Sequence, residues 1–224
     1  NSKTTVGIYL RSLRTVINIA ITNNDILPAL YPFRRNEHDR GKYQIPEGSN
    51  IKKALPIGDI EKIFNYEPEP GTSRDIAKDY WIFIYLTNGI NVKDLCLLKY
   101  KDIKGDSIEF IRAKTARQKK EKTITAILQP ETIAIIEKWG NKKKDGNTFI
   151  FPVLTGKETP VRQRKLIQQL TRTINDNMKD IADDLEINMP VTTYAGRHSF
   201  ATVLKRSGAS IALISEMLGH SNLK

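Results

Sequence analysis

The sequence predicts a mainly α-helical protein with one small antiparallel β-hairpin or sheet, an α+β fold. Apolar residues recur at helical spacing along most of the chain. Two strand-like runs, 107–112 and 123–128, are joined by a lysine- and arginine-rich arm at 113–122, a pattern typical of a hairpin. With 224 residues and 39% hydrophobic content, the chain is long enough for one sizeable core.

The chain is strongly basic. It has 36 Lys and Arg against 25 Asp and Glu, a formal net charge of +11 and a pI of about 9.6. This excess favours a polyanionic partner, with nucleic acid ahead of a membrane surface. A solvated basic surface without a partner is the alternative.

Cysteine usage and hydropathy indicate the compartment. Cys96 is the only cysteine, so the chain forms no internal disulfide, and a reducing cytoplasm is expected. The sequence shows no membrane-spanning run, no signal peptide and no Cys/His spacing for a metal. Because it starts at Asn1 and stops at Lys224 just after a new segment begins, we expect pieces missing at both ends.

The first 55 residues divide into a helix and an irregular stretch. Apolar residues at helical spacing predict one amphipathic helix over residues 4–22. Residues 28–55 contain three prolines and a charged run, so we interpret them as a linker in which His38 is exposed.

The remaining elements follow from apolar pattern and cap residues. The apolar run 81–86 predicts a buried helix ended by Gly89, and Asn91 can cap the next one. Further helices are expected at 130–139 and 159–185, separated by a basic loop at 141–148 and a short apolar segment at 149–154.

The stretch 192–220 organises the chain. Arg197, Phe200, Ala201 and Leu204 share one helix face, with Tyr194 one turn earlier. An arginine on an apolar stripe is costly unless it meets an anion. The arginine therefore either binds a ligand or pairs with a structural carboxylate.

A second amphipathic helix follows Gly208. Ile211, Ile214 and Leu218 define its apolar face, and His220 comes just after its end. By itself, His220 could equally be a surface residue.

Taken together, R-H-S-F-A-T, a second helix and then L-G-H resemble the C-terminal core of the tyrosine recombinase (phage integrase) family. The family signature is His-x-x-Arg followed, one helix later, by a second His or Trp. The separation of 23 residues between Arg197 and His220 fits it. The resemblance implies a catalytic domain at 56–224, a linker at 28–55 and, at 1–27, the last helix of a core-binding DNA domain.

The resemblance also implies a function. The expected activity is that of a site-specific DNA recombinase or integrase of a mobile element, which cuts and rejoins DNA by transesterification through a 3′-phosphotyrosyl intermediate. This chemistry needs no cofactor and no metal. The alternative is a degenerate module that holds DNA or a partner recombinase without cleavage.

The first motif of the family departs from its pattern here. The segment G-I-N-V-K-D matches it at Gly89 and at the acidic Asp94, but Asn91 occupies the place of the first arginine. A neutral amide brings no charge to a phosphate. The proposed replacement cations are Arg74, Lys78 and Lys93.

The other catalytic positions follow by resemblance. Lys114 on the hairpin matches the lysine that protonates the leaving oxygen, with Lys119 and Lys120 as second choices. Tyr194 stands where the signature histidine is usual, and His220 would steady the phosphate. His198 is expected to be structural.

The nucleophilic tyrosine of the family lies two to three helical turns beyond the position of His220. We therefore expect it beyond Lys224, and residues 1–224 alone are expected to be inactive.

Double-stranded DNA is the expected partner. The protein is expected to be a monomer in isolation and to form a tetramer with other protomers on DNA. DNA-bending accessory proteins are further expected partners. The expected location is the bacterial cytoplasm, at the nucleoid. The candidate phosphate-backbone contacts are Arg112, Arg117, Lys119, Lys120, Arg162, Arg164 and Arg172.

Overall fold

The computed structural model describes residues 2–36, 38–47, 54–114 and 123–219. The chain divides into two compact units, Asn1–Lys52 and Lys53–Lys224. In the described ranges, no helix combines the length and apolar character that a membrane span requires.

The first unit is built on helix α1 (Lys3–Thr22), which Ser2 caps by accepting a hydrogen bond from the Thr5 amide. The chain then makes a 3-10 turn and an isolated parallel bridge between Phe33 and Tyr43. Gly7 is the buried residue of α1, and an added Cβ there would collide with the carbonyl oxygen of Pro46. The irregular segment is thus folded against α1 in its described part.

The second unit contains seven helices and a three-stranded antiparallel sheet of order β1-β2-β3 among the described residues. This confirms the predicted mainly α fold with a small sheet; β1, only two residues long, was missed. The elements are α2 (Ile57–Asn65), α3 (Ser73–Leu86), α4 (Val92–Leu97), β1 (Ile103–Lys104), β2 (Ser107–Ile111), β3 (Thr123–Ile127), α5 (Pro130–Trp139), α6 (Pro160–Asp184), α7 (Thr193–Arg206) and α8 (Ile211–Met217).

Helix α3 is the centre of this unit. Thr72 caps its start, and the apolar run that predicts a buried helix is almost wholly inaccessible, including Trp81 and Phe83. Helices α5, α6 and α7 pack around α3. The Phe83 ring meets Phe151 edge to face at 5.0 Å between centroids, an arrangement aromatic pairs favour.

Helix α7 buries a different face from the one predicted. Its buried residues are Ala195, Gly196 and Ser199, whereas Arg197 and Phe200 are half-buried. The prediction was wrong because small side chains bring α7 close to α3: an added Cβ on Gly196 would lie 3.3 Å from the indole of Trp81. Arg197 consequently lies at the edge of the helix interface.

Polar contacts fix α7 in this orientation. The Trp81 indole N–H donates to the carbonyl oxygen of Thr192 at 3.0 Å, and the buried Ser199 hydroxyl accepts from the Leu55 amide at 2.8 Å. In α8, Ile214 and Leu218 are buried but Ile211 is 68% exposed, so the predicted apolar face is wrong at its first residue.

Candidate active site

Arg197 joins three parts of the second unit. Its Nη1 donates to the carbonyl oxygen of Gly89 in the α3–α4 turn, and its Nη2 donates to that of Leu218 after α8, both at 2.6 Å. Burial lowers the pKa of Arg197 to about 10, and the neighbouring charge of Arg112 adds to the effect. The group stays cationic near neutral pH.

Glycines permit this close assembly. Gly89 has φ +62°, and an added Cβ would lie 2.8 Å from the Cα of Arg197. Gly219 has φ +64°, and its added Cβ would lie 2.8 Å from the Cδ of Arg112. Both positions therefore need glycine for its backbone conformation and for the space.

Arg112 is a second arginine that contacts the chain just after α8. It directly follows β2, and its Nη1 donates to the carbonyl oxygens of Leu218 at 3.3 Å and Gly219 at 3.2 Å. Arg112 and Arg197 thus share the Leu218 oxygen as an acceptor. Sequence reasoning placed Arg112 on the DNA backbone and missed this position, because only strand pairing brings it next to α8.

Asp94 is the buried carboxylate of the cluster, at 6% exposure. Its Oδ1 accepts a hydrogen bond from the Ala113 amide at 2.8 Å. Burial raises the pKa of Asp94, and the Ala113 amide and the charges of Arg112 and Arg197 oppose that rise. The carboxylate therefore lies near both arginines and fixes the base of the hairpin arm.

Lys114 follows the anchored Ala113 directly and is exposed. Lys114 is thus two residues after Arg112, at the start of the arm that, by the resemblance, carries the proton donor. Arg117, Lys119 and Lys120, the other arm residues singled out, lie outside the described residues.

Asn91 does not act toward the arginines in this structure. It is exposed, and its side chain caps α4 by accepting a hydrogen bond from the Lys93 amide at 3.0 Å. The hypothesis that Arg74 or Lys78 replaces the absent arginine is wrong. Arg74 pairs with Asp184 at 2.8 Å, and Lys78 donates to the carbonyl oxygen of Tyr66.

Of the three proposed replacements, Lys93 alone is close to the cluster. It is exposed, and it lies next to Asp94 in α4. Burial raises the pKa of Asp94, and the positive charge of Lys93 lowers it. The effect of Lys93 is smaller than that of Arg112 or Arg197.

Tyr194 and His198 lie beside one another on α7. Their rings meet edge to face with centroids 4.3 Å apart, and Tyr194 is 51% exposed one turn before Arg197. The pair leaves the Tyr194 ring accessible at the site, and His198 packs against it. His220 lies outside the described residues.

Helix α6 presents exposed cations. Arg162, Arg164 and Arg172 are all exposed on it. Arg172 lies one turn before Asn175, whose side-chain oxygen accepts from the Thr193 amide at the start of α7 at 2.9 Å. Within the described ranges, no group of three or more His, Cys, Asp or Glu could hold a metal ion.

Two guanidinium groups around one buried carboxylate form a cationic site suited to an anion such as a phosphodiester. The chain belongs to the phage integrase family, whose model matches residues 54–224. The match includes every residue of the cluster.

The relatives match most or nearly all of the chain. Tyrosine recombinase XerA of Pyrococcus horikoshii is 25% identical over 219 residues, which cover 97% of this chain and 68% of that protein. Tyrosine recombinase XerD of Halalkalibacterium halodurans is 28% identical over 189 residues, 80% of this chain and 58% of that protein. The chain thus spans well under the full length of these relatives.

Solved structures share the fold. The Tn1549 transposon integrase in complex with transposon right end DNA has a TM-score of 0.61 at 16% identity, covering 95% of this chain and 70% of that one. The crystal structure of XerA recombinase has a TM-score of 0.52 at 23% identity, covering 79% of this chain and 58% of that one.

Proposed function

We propose that the protein is a site-specific DNA recombinase or integrase of a mobile element that breaks and rejoins DNA strands through a 3′-phosphotyrosyl intermediate. The observation that carries the proposal is the meeting of Arg197, Arg112 and Asp94 at the base of the hairpin that bears Lys114. Family membership supports the strand-breaking chemistry, and the Tn1549 integrase solved with its transposon end supports double-stranded DNA as the substrate.

The roles follow from charge and position. A tyrosine hydroxyl loses its proton to a base and its oxygen attacks the phosphorus. The P–O bond to the 5′-oxygen breaks, and the leaving oxygen takes a proton from Lys114. Arg197 neutralises charge that builds on the nonbridging oxygens, because it remains cationic and can bind two oxygens. A 5′-hydroxyl of the partner strand then attacks the phosphotyrosine and restores the phosphodiester, so the bond is conserved without an energy source.

Other residues complete the proposed site. Asp94 holds the hairpin through the Ala113 amide. His220 steadies the phosphate and Tyr194 donates a hydrogen bond there. We assign the nucleophile to a tyrosine two to three helical turns after His220, as the resemblance implies.

Exposed arginines on α6 and the arm would hold the DNA backbone, and further protomers would complete a tetramer on DNA. Phosphate contacts fix the register of a duplex without reading its sequence. DNA-bending accessory proteins and a place at the bacterial nucleoid belong to the same proposal.

The test is covalent capture. Full-length protein is incubated with a duplex nicked next to the cleavage site, so that the released strand diffuses away and the adduct accumulates. The adduct is expected with the wild type and is expected to be lost in Arg197→Ala, while duplex binding in a gel-shift assay is largely kept. Binding by the wild type without any adduct would refute strand cleavage.

That last outcome is the prediction of a second candidate function, a module that holds DNA or a partner recombinase without cutting. Two observations favour it: Asn91 brings no charge and caps α4, and Tyr194 replaces the signature histidine. A partner recombinase would then supply the cleavage activity, and mixing the two proteins would place the adduct on the partner.

A further inference from the structure

We propose that Arg112 supplies the second positive charge at the scissile phosphate, in place of the arginine that Asn91 does not provide. The inference rests on the proposed function and deepens it. It assigns to a strand-end residue a task that the first motif of this chain leaves open.

The two arginines lie side by side. Arg197 Nη2 and Arg112 Nη1 reach the same carbonyl oxygen, that of Leu218, at 2.6 and 3.3 Å. Sharing one acceptor holds two like charges together, which is unfavourable unless negative charge is nearby. A site that keeps them together is therefore prepared for an anion.

The local charge balance fits one phosphodiester. Asp94 is the buried carboxylate close to both arginines in the described part of the chain. With Asp94 ionised, two guanidinium groups retain a single net positive charge. One phosphodiester carries one negative charge, so its binding would offset the net charge of these three groups, and the nearby Lys93 adds further positive charge.

Hydrogen bonds fix the position of the Arg112 guanidinium before any substrate binds. Its Nη1 donates to two carbonyl oxygens, and the backbone of the next residue is tied to Asp94. The Gly219 backbone lies so close to the Arg112 side chain that a Cβ would crowd it. A pre-positioned cation needs little reorganisation when charge develops in the transition state.

The competing cations are committed elsewhere or less well placed. Arg74 is paired with Asp184, and Lys78 donates to the carbonyl oxygen of Tyr66. The Tyr66 hydroxyl donates to the same Asp184, so both cations belong to the acidic surroundings of that carboxylate. Lys93 is exposed beside Asp94 and has a single ammonium group, whereas a guanidinium can contact two phosphate oxygens.

A purely structural role for Arg112 is the main competitor, because its hydrogen bonds also fasten the end of α8 to the sheet. The two roles differ in their response to substrate charge. Replacing one nonbridging oxygen of the scissile phosphate with a methyl group removes the negative charge that Arg112 would neutralise. A structural defect would persist on that methylphosphonate substrate.

The experiment measures adduct formation by full-length wild type, Arg112→Ala and Arg112→Lys on nicked duplexes with either linkage. Arg112→Ala is expected to be slower by about 10²–10³-fold on the phosphate, the range for one lost transition-state donor, with Arg112→Lys in between. On the methylphosphonate the gap between wild type and Arg112→Ala should shrink to about tenfold or less. Arg74→Ala is the matched control, since it removes a guanidinium from the same unit outside the cluster.

Equal losses on both substrates would overturn the proposal and leave Arg112 a structural tie. Retention of wild-type rates by Arg112→Ala would overturn it as well. In both cases an active wild type keeps the proposed function intact. Absence of any adduct with the wild type would refute the function itself, and the assignment of Arg112 with it. Urea unfolding of each variant shows whether it is folded under the assay conditions.

Discussion

Two clusters of cations in the second unit differ in the groups that accept their hydrogen bonds. Around the start of α3, Arg74 and Lys138 are matched to carboxylates: Arg74 to Asp184 at 2.8 Å, and Lys138 to Asp75 and Asp79 at 2.6 and 2.8 Å. Around the end of α8, Arg197 and Arg112 bind mostly carbonyl oxygens.

The difference separates ion pairs that hold the fold from the two arginines that we propose bind a phosphate. A carbonyl oxygen orients a guanidinium without cancelling its charge, whereas a carboxylate cancels it. Helix α3 therefore begins in a cluster in which two cations face three carboxylates. Among the described residues, Arg197 and Arg112 have one buried carboxylate, Asp94, close to both. The cations of the two clusters therefore differ in their expected role.

The largest difference between the two clusters is expected when one guanidinium is removed from each. Arg197→Ala is expected to slow adduct formation by the full-length protein by at least about 10²-fold, because a transition-state contact is lost. Arg74→Ala should leave adduct formation within about twofold, since its partner Asp184 is 43% exposed. Equal effects of the two substitutions would show that the clusters do not differ in role.

Backbone geometry should also distinguish the arginine cluster. Gly89→Ala forces a Cβ against Arg197 at φ +62°, so we expect the free energy of unfolding to fall by about 3 kcal/mol. The control is Gly105→Ala, where φ is +60° but nothing lies within 4 Å of the added Cβ. That variant should lose only about 1 kcal/mol in urea titrations. Similar losses in both would remove the argument for close approach at Gly89.

A substitution in the cluster at the start of α3 should change the stability of the protein but not its activity. Lys138→Ala removes the partner of Asp75, which is 4% exposed, although the Gly71 amide still donates to that carboxylate. We expect a loss of about 1–3 kcal/mol in the free energy of unfolding, the usual cost of an unsatisfied buried acceptor. Adduct formation at temperatures well below unfolding should be unchanged, and a drop there would connect the two clusters.

The smallest expected effect concerns the thiol in α4, the helix that carries Asp94. Burial raises the pKa of Cys96 to about 12, and since the thiolate is the reactive form, alkylation at pH 8 should be negligible in the folded protein. Denaturation should expose the thiol to rapid labelling. Because Cys96 is the sole cysteine, mass spectrometry of iodoacetamide-treated protein reports it directly. Fast labelling of the native protein would mean that α4 opens readily.

Local patterns predicted much of this fold because they act within a few residues. Pro130 to Trp139 and the helix capped by Thr159 form where expected, and Asn91 caps α4. The face of α7 could not be predicted in the same way. Its orientation depends on Trp81, more than a hundred residues earlier, which selects the small side chain of Gly196 for contact.

Short motifs and regular spacing predicted the family and most of the helices, and they mark Arg197 as a candidate site residue. The cations around Arg197 could be identified from the folded chain but not from the sequence. The partners that place Arg112 beside it, Leu218 and Gly219, are 106 and 107 residues away along the chain. Because charges interact through space, Arg112, which the sequence analysis assigns to the DNA backbone, lies beside Arg197 once the end of β2 meets the end of α8.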